Sequence, residues 1–249
     1  MNANNSFRRF PSIKITGHDN AATDCGAICS RISSLCSERA KTVIVAECYP
    51  GVEQDELKAL FDPLNISTFI HSDDLALPPV DIDAMIAREL TDDPVFGIMT
   101  TWRLEDFYPV EHLKKARRRI EDIQSGIVLV YGVGASLVCG GDILILADIT
   151  RWEIQLRYWH GMPNWRTART DLPRNEKYKR GFFAEWRWAD RVKDRLLPKI
   201  DFYLDMTTRQ APAMVSGSAY RDAMKQAAGQ PFRMVPYFDP GVWGGNWMK

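Results

Sequence analysis

The sequence predicts an α/β protein built as three layers, a mainly parallel sheet with helices on both faces. Three observations carry this prediction. Short β-branched runs recur along the chain, segments with helical spacing of apolar residues separate them, and several runs are apolar throughout, as expected of strands covered on both faces. In chain order the strands are expected at SIKIT from Ser12, TVIVA from Thr42, STFIH from Ser67, IVLVY from Ile127, DILILA from Asp142 and DFYLD from Asp201. A first helix is expected where Cys25, Ile28, Cys29, Ile32 and Leu35 follow the i, i+3, i+4, i+7 rule. Leu113, Ala116, Ile120 and Ile123 make a second stripe, with Lys114 to Arg119 largely on its wet side. Trp152, Leu156 and Trp159 make a third, and Phe182, Phe183, Trp186 and Ala189 a fourth; aromatic stripes at this spacing are expected in the core. Residues 1–230 are expected to form one α/β domain, followed by an aromatic tail at 231–249.

Composition narrows the function classes. With 45% hydrophobic and 26% charged residues, disorder and a disulfide scaffold are disfavoured. Lys plus Arg (32) equals Asp plus Glu (32), which removes net charge as an argument for nucleic-acid or membrane partners. No apolar run reaches the length of a membrane span, and the amino terminus MNANNSFRRFP has no apolar segment behind its basic residues; a cytoplasmic location is expected. Five cysteines, with Cys25, Cys29 and Cys36 on one helical face, suit reduced thiols. Charge is nevertheless uneven. Residues 41–110 hold 4 Lys/Arg against 14 Asp/Glu, and residues 151–199 hold 13 against 6. Two mutually attracting solvated faces account for this, or a field that steers a ligand; the basic stretch is the place to seek an anion site.

The segment TVIVAECYPGVEQDELKALF from Thr42 reads as buried strand, turn at Pro50 and Gly51, and helix with Leu57, Leu60 and Phe61 inward. That is the topology of a phosphate-binding loop, whose amides and helix N-terminus hold an anion. Its chemistry is missing. With Gly51 set on the second glycine of GxxxxGK[ST], Ala46 replaces the first glycine, Val52 the lysine and Glu53 the hydroxyl, and Asp55 and Glu56 follow. One carboxylate about 5 Å from a phosphate charge, at an effective dielectric of about 20, costs roughly 3 kcal/mol, more than a hundredfold in affinity. ATP binding is not expected here. A second glycine cluster, YGVGASLVCGGD from Tyr131, leads quickly into a new strand at Asp142; it reads as a strand-end loop in which glycine supplies positive φ or close approach.

Carboxylates gather beyond the strand ends, where α/β enzymes keep their sites: Glu47, Asp73, Asp74 and Asp148. Each suits magnesium or a substrate hydroxyl, and each equally suits loop solvation or capping. TDDP from Thr91 reads as a turn and cap. The segment DITRWEIQLRYWHGMPNWRTAR from Asp148 offers Arg151, Arg157, Arg166 and Arg169 as phosphate ligands, or as surface ion pairs. Arg151 and Arg157 are expected to face the same cleft as Asp73 or Asp74. His18, His71, His112 and His160 are scattered, with no HxH, HExxH or CxxC, so no metal site is expected in this chain; no GxSxG elbow appears.

Several ordered blocks carry a resemblance: ECYPGV at Glu47, LTDDPVFG at Leu90, LEDFY at Leu104, VLVYGVGASL at Val128, ADITRWEIQLRY at Ala147, YKRGFFAEWRWAD at Tyr178 and VPYFDPGVWGGNWMK at Val235. Together they resemble the N-terminal region of a long variant of the bacterial class I mannose-6-phosphate isomerase family, from about Lys41 onward. The resemblance implies that this region precedes a zinc-dependent cupin domain and that zinc belongs there. More distantly the layout is similar to uridine kinase and related P-loop phosphotransferases, with VIVAECYPGV at their phosphate loop, SDDL from Ser72 near their hydroxyl-binding region and ADITRWEIQLRY near their arginine-bearing lid. It implies a P-loop kinase-like fold with a degenerate phosphate loop, serving a protein that handles phosphosugars.

Three functions are therefore expected in this order: a degenerate kinase-like domain that binds a phosphorylated sugar or nucleotide, or supports an isomerase partner; a structural or assembly module; and an active phosphotransferase using Arg151, Arg157 or Lys179 in place of the loop lysine. The tail aromatics Phe232, Tyr237, Phe238, Trp243 and Trp247 are expected to pack on their own domain, on a second copy as a homo-oligomer, or on a cupin isomerase domain.

Overall fold

The computed structural model describes residues 12–37 and 39–230, together with the backbone of two short C-terminal strands. The order of elements is α1 (Cys25–Cys36), β1 (Lys41–Cys48), α2 (Gln54–Leu60), β2 (Thr68–His71), α3 (Pro79–Met85), α4 (Ala87–Leu90), α5 (Val110–Asp122), β3 (Gly126–Gly132), α6 (Ala135–Val138), β4 (Ile143–Asp148) and α7 (Arg151–Trp159). Then follow α8 (Arg174–Arg180), a π-helical turn (Gly181–Glu185), α9 (Trp186–Leu196), β5 (Phe202–Asp205), β6 (Ala213–Ser216), α10 (Gly217–Ala228), β7 (Phe238–Pro240) and β8 (Asn246–Met248). The main sheet runs β2-β3-β1-β4-β5-β6, parallel except for β6, and helices flank it.

Sequence explains the centre of this sheet. Val43 to Ala46, Val128 to Val130 and Ile143 to Ala147 are buried, so these β-branched runs carry apolar side chains to both faces. Each fully buried aliphatic side chain contributes roughly 1.5–3 kcal/mol, and a slip of one residue would turn every side chain to the opposite face and take Glu47 from the backbone amides that satisfy it. In the register that forms, Glu47 stands beside Gly132 of β3 and Leu146 of β4, His71 beside Tyr131, and Asp148 beside Asp205. The chain crosses from β1 to β2 in one direction and returns through β3 and β4 to β5 in the other. Right-handed crossovers put those connections on opposite faces, and the reversal leaves a crevice beyond the C-terminal end of β1.

Caps set the helix starts. Asp24 accepts from the Ala27 amide (2.8 Å), Thr150 from Glu153 (3.3 Å) and Ser216 from Ala219 (3.2 Å). All five cysteines are free thiols, Cys29 and Cys36 being buried on the inner face of α1. Among the described residues no helix is long and apolar enough to cross a membrane.

Three expectations fail. Of the expected stripe of α1, Ile28, Cys29 and Ile32 are buried, but Cys25 at its first position and Leu35 are exposed, and Cys36 takes the inward place at the end of the helix. Residues 12–16 form no strand; instead Ala22 bridges Met214, by hydrogen bonds of 2.9 and 2.8 Å, along the outer edge of β6, itself a strand too short to stand out in the sequence. The stripe of Trp152, Leu156 and Trp159 is not core. Helix α7 turns Ile154, Arg157 and Tyr158 inward, and Trp152 and Trp159 are 65% and 63% exposed on the other side. The inward place is taken by an arginine whose donors find backbone carbonyls, a partnership that hydrophobic periodicity does not register. The tail residues Phe232, Tyr237 and Trp243 lie outside the described residues; of the tail only the β7–β8 pairing is described.

Candidate functional site

Glu47 is the one charged residue in the buried body of β1, and it is 3% exposed. Its two oxygens accept the amides of Gly134 and Ser136, each at 2.7 Å. Gly134 has φ +79°, and a Cβ there would meet the Tyr108 ring and hydroxyl at 2.7 Å, so only glycine lets this loop wrap the carboxylate. Asp73 follows β2 in a single 3-10 turn, Ser72–Leu75. One of its oxygens accepts from the Val133 amide (3.0 Å), the other from Gln54 Nε2 (2.9 Å). Gly132, φ +116°, again has no room for a Cβ beside Ser72 and Asp73. The amides of Val133 and Gly134 in the β3–α6 loop and of Ser136 in the first turn of α6 thus form an anion-holding nest whose occupants are the protein's own carboxylates.

Electrostatics sharpen this. Burial, with a smaller push from Asp73, carries the Glu47 carboxyl up to about 7 despite the amides. Asp73 is itself raised by burial, against the pull of Gln54 and His71. Tyr108, whose hydroxyl donates to the Val133 carbonyl, is pushed far up by burial and by Asp73 and Glu47, with Arg166 opposing. His71 contacts Gln54, stacks on Tyr131 (4.9 Å between centroids) and lies 3.5 Å from Asp74.

Beside this cluster, beyond β1, β4 and β5, is a crevice of about 380 Å³ lined by Tyr49, Asp148, Thr150, Arg151, Lys193 and Tyr203 among others. It is built from two similar units. Tyr49 donates to Asp190 (2.8 Å), which Arg151 pairs; Tyr203 donates to Asp148 (2.7 Å), which Lys193 pairs. Each phenol keeps acceptor lone pairs and each cation keeps donors, so the lining offers both hydrogen-bonding senses to a polyhydroxylated ligand. Its two charge pairs balance.

The turn after β1 is closed. Val52 donates back to the Tyr49 carbonyl (3.0 Å), Ala46, Pro50 and Val52 are buried, and Gly51 (φ +109°) would press a Cβ onto Ile154 at 2.8 Å. Arg157, 2% exposed, donates to the Gly51 carbonyl and the Met206 carbonyl, both at 3.1 Å, and to Glu153 (2.9 Å). Glu53 pairs with Arg209, and Asp55 and Glu56 occupy the first turn of α2.

The four arginines therefore part company. Arg151 lines the crevice; Arg157 staples the β1 turn to the segment after β5; Arg166 donates to the Leu77 carbonyl (2.9 Å) near Tyr108; Arg169 pairs with Glu176 (3.2 Å) at the surface. The expected cleft shared by Arg151, Arg157 and Asp73 or Asp74 does not form: Arg157 is engaged inward, and Asp74 lines a separate groove with Arg118 and Arg119. Tyr49, Tyr108, Lys193 and Tyr203 are not evident from the sequence; Tyr49, Lys193 and Tyr203 have the single signal of proximity in register or along a helix to Glu47, Asp190 and Asp148, and Tyr108, which meets Val133 across 25 positions, has none. Lys179 contacts Thr91 and Asp93, so it too is held away from the β1 turn. The turn at Thr91 forms as expected, with Asp93 accepting the amides of Val95 and Phe96. Among the described residues no group of three His, Cys, Asp or Glu side chains is placed to hold a metal ion.

No curated protein matches this chain. The family model described as "Domain of unknown function (DUF8485)" matches residues 25–229, from α1 to the end of α10 and across all the elements that build the crevice, and the chain belongs to that family.

Proposed function

We propose that this chain is a kinase-like binding domain that has given up triphosphate chemistry and holds a phosphorylated sugar in the crevice beyond β1, β4 and β5. The observation that carries the reading is the state of the β1 turn: its glycine carbonyl is pinned by Arg157, and Glu53, Asp55 and Glu56 stand where a triphosphate would lie. The strand order β2-β3-β1-β4-β5 is consistent with the uridine kinase layout, and the nest amides of Val133, Gly134 and Ser136 are already engaged by Asp73 and Glu47. In this reading the sugar hydroxyls meet Tyr49, Tyr203 and Asp148, and the phosphate meets the free donors of Arg151 and Lys193. Asp73 is the remnant of a hydroxyl-binding position, now engaged by Gln54 and Val133. A cupin isomerase domain is the partner this reading implies.

Calorimetry on residues 1–249 tests it. Mannose 6-phosphate should bind, Lys193→Ala should abolish the heat, and ATP with magnesium should give none; low-micromolar ATP binding would overturn the reading. A second reading, an assembly module, is favoured by one observation: a cavity of about 390 Å³ lined by Val95, Trp152, Leu156, Trp159 and Tyr178, with both tryptophans largely exposed. If that reading holds, light scattering should show self-association that Trp159→Glu removes.

A further inference from the structure

A groove of about 800 Å³ lies between the end of β2 and α5, away from the crevice. Its floor is apolar: Ile70, Leu75, Ala116 and Ile123. Its rim is basic, with Lys115, Arg118, Arg119 and His112 against Asp74 and Asp122. The cations of α5 divide into two groups. Lys114 pairs with Glu111 (2.9 Å), and Arg117 donates to the carbonyls of Val138 (2.6 Å) and Leu137 (2.7 Å). Lys115, Arg118 and Arg119 are exposed and engage no carboxylate among the described residues, although Asp122 stands four residues from Arg118. Lys115 and Arg119 are like charges at i, i+4, an arrangement that weakens a helix. A local cost without a local partner is what a binding surface leaves behind.

The sheet edge adds a direction. The far edge, β6, is bridged by Ala22, whereas β2 ends the sheet with no strand beside it among the described residues. An edge strand next to a groove accepts an extended chain, whose alternate side chains point to opposite sides. We propose that this groove docks an extended acidic segment of a partner protein, its carboxylates on Lys115, Arg118 and Arg119 and its intervening apolar side chains on Ile70, Leu75 and Ile123. Charge complementarity selects the partner: the unengaged cations outnumber the two aspartates, and the apolar floor suits side chains rather than a phosphodiester backbone. The inference is independent of the sugar phosphate reading.

Fluorescence anisotropy with a fluorescein-labelled heptapeptide of alternating glutamate and valine tests it on the full chain. Binding should be saturable, weaken with added salt, and fall at least tenfold in the double variant Lys115→Glu, Arg119→Glu, whose circular dichroism should match the parent because both positions are exposed. A lysine–valine peptide should not bind, and proline in place of valine, which removes strand pairing, should weaken binding. Four results would overturn the proposal: no saturable binding, equal binding of the lysine peptide, an unaffected double variant, or tighter binding of a single-stranded oligonucleotide. Displacement of the peptide by concentration-dependent self-association would assign the groove to the acidic half of a second copy instead.

Discussion

Glu47 and Glu185 are both buried glutamates, and they are buried in opposite ways. Glu185, fully buried in the π-helical turn, faces Arg180 at 2.7 Å and also receives Asn164 Nδ2 at 3.1 Å. Arg180 in turn pairs with Asp83 and donates to the Trp165 carbonyl (3.1 Å). The extra residue of the π turn is what lets residues five apart meet on one side of the helix. Glu47 has amides and no cation, and its carboxyl rises to about 7. Burial raises Glu185 too, but there Arg180 is the first opposing influence. A buried carboxylate matched by a cation holds helices in place; one left with amides at the C-terminal end of a central strand shapes a site.

The largest expected effect breaks the matched pair. Arg180→Met should cost about 3–5 kcal/mol in denaturant unfolding, because it strands Glu185 in the core, and Arg180→Met with Glu185→Gln should recover much of that. A single-variant cost under about 1 kcal/mol would erase the distinction drawn between the two glutamates.

Next comes the loop that wraps Glu47. Gly134→Ala should destabilise by about 2–3 kcal/mol, combining a positive φ with a Cβ driven into Tyr108. The circular dichroism spectrum should persist, since the strain is confined to a strand-end loop.

Glu47→Gln is a smaller change and a more discriminating one. It should cost about 1–2 kcal/mol at pH 5, because the glutamine NH2 must face one of the two backbone donors, where the protonated acid still offers an oxygen lone pair. Its pH signature has a definite sign. The folded carboxyl sits near 7, above the ordinary value of about 4.3, so its contribution is fully present below pH 4 and is lost as pH rises towards 7. Unfolding free energies at pH 5, 6 and 7.5 should fall in the parent and flatten in Glu47→Gln, with Asp73 supplying a residual slope of the same sign.

These effects also mark what the sequence could disclose. The strands at 41–48, 126–132 and 143–148 were legible because burial on both faces demands unbroken β-branched runs, and the glycines near Tyr131 announced a loop needing positive φ. Glu47, Asp73 and Asp148 were legible as carboxylates at strand ends. Their surroundings were not: the Gly134 amide meets Glu47 across 87 positions of sequence, and Tyr203 meets Asp148 across 55. The sequence showed that α7 is amphipathic without showing which face turns inward, because the decisive inward residue is an arginine satisfied by distant carbonyls.

The smallest stability effect isolates function from fold. Arg151 and Arg157 lie on one helix and carry one side chain, yet Arg157 holds the Gly51 and Met206 carbonyls while Arg151 pairs with the half-exposed Asp190 at the crevice. Arg151→Ala should shift unfolding by no more than about 0.5 kcal/mol, since exposed ion pairs contribute little. Its effect on the crevice should be out of proportion. Losing Arg151 leaves Asp190 with the Tyr49 hydroxyl and the more distant Arg187 (3.9 Å), which shifts a balanced lining towards the acidic and removes a phosphate donor. Mannose 6-phosphate affinity should drop at least tenfold while mannose affinity changes little. Equal losses for the two sugars would place the phosphate elsewhere, and a loss of several kcal/mol in stability would show that Arg151, like Arg157, belongs to the scaffold.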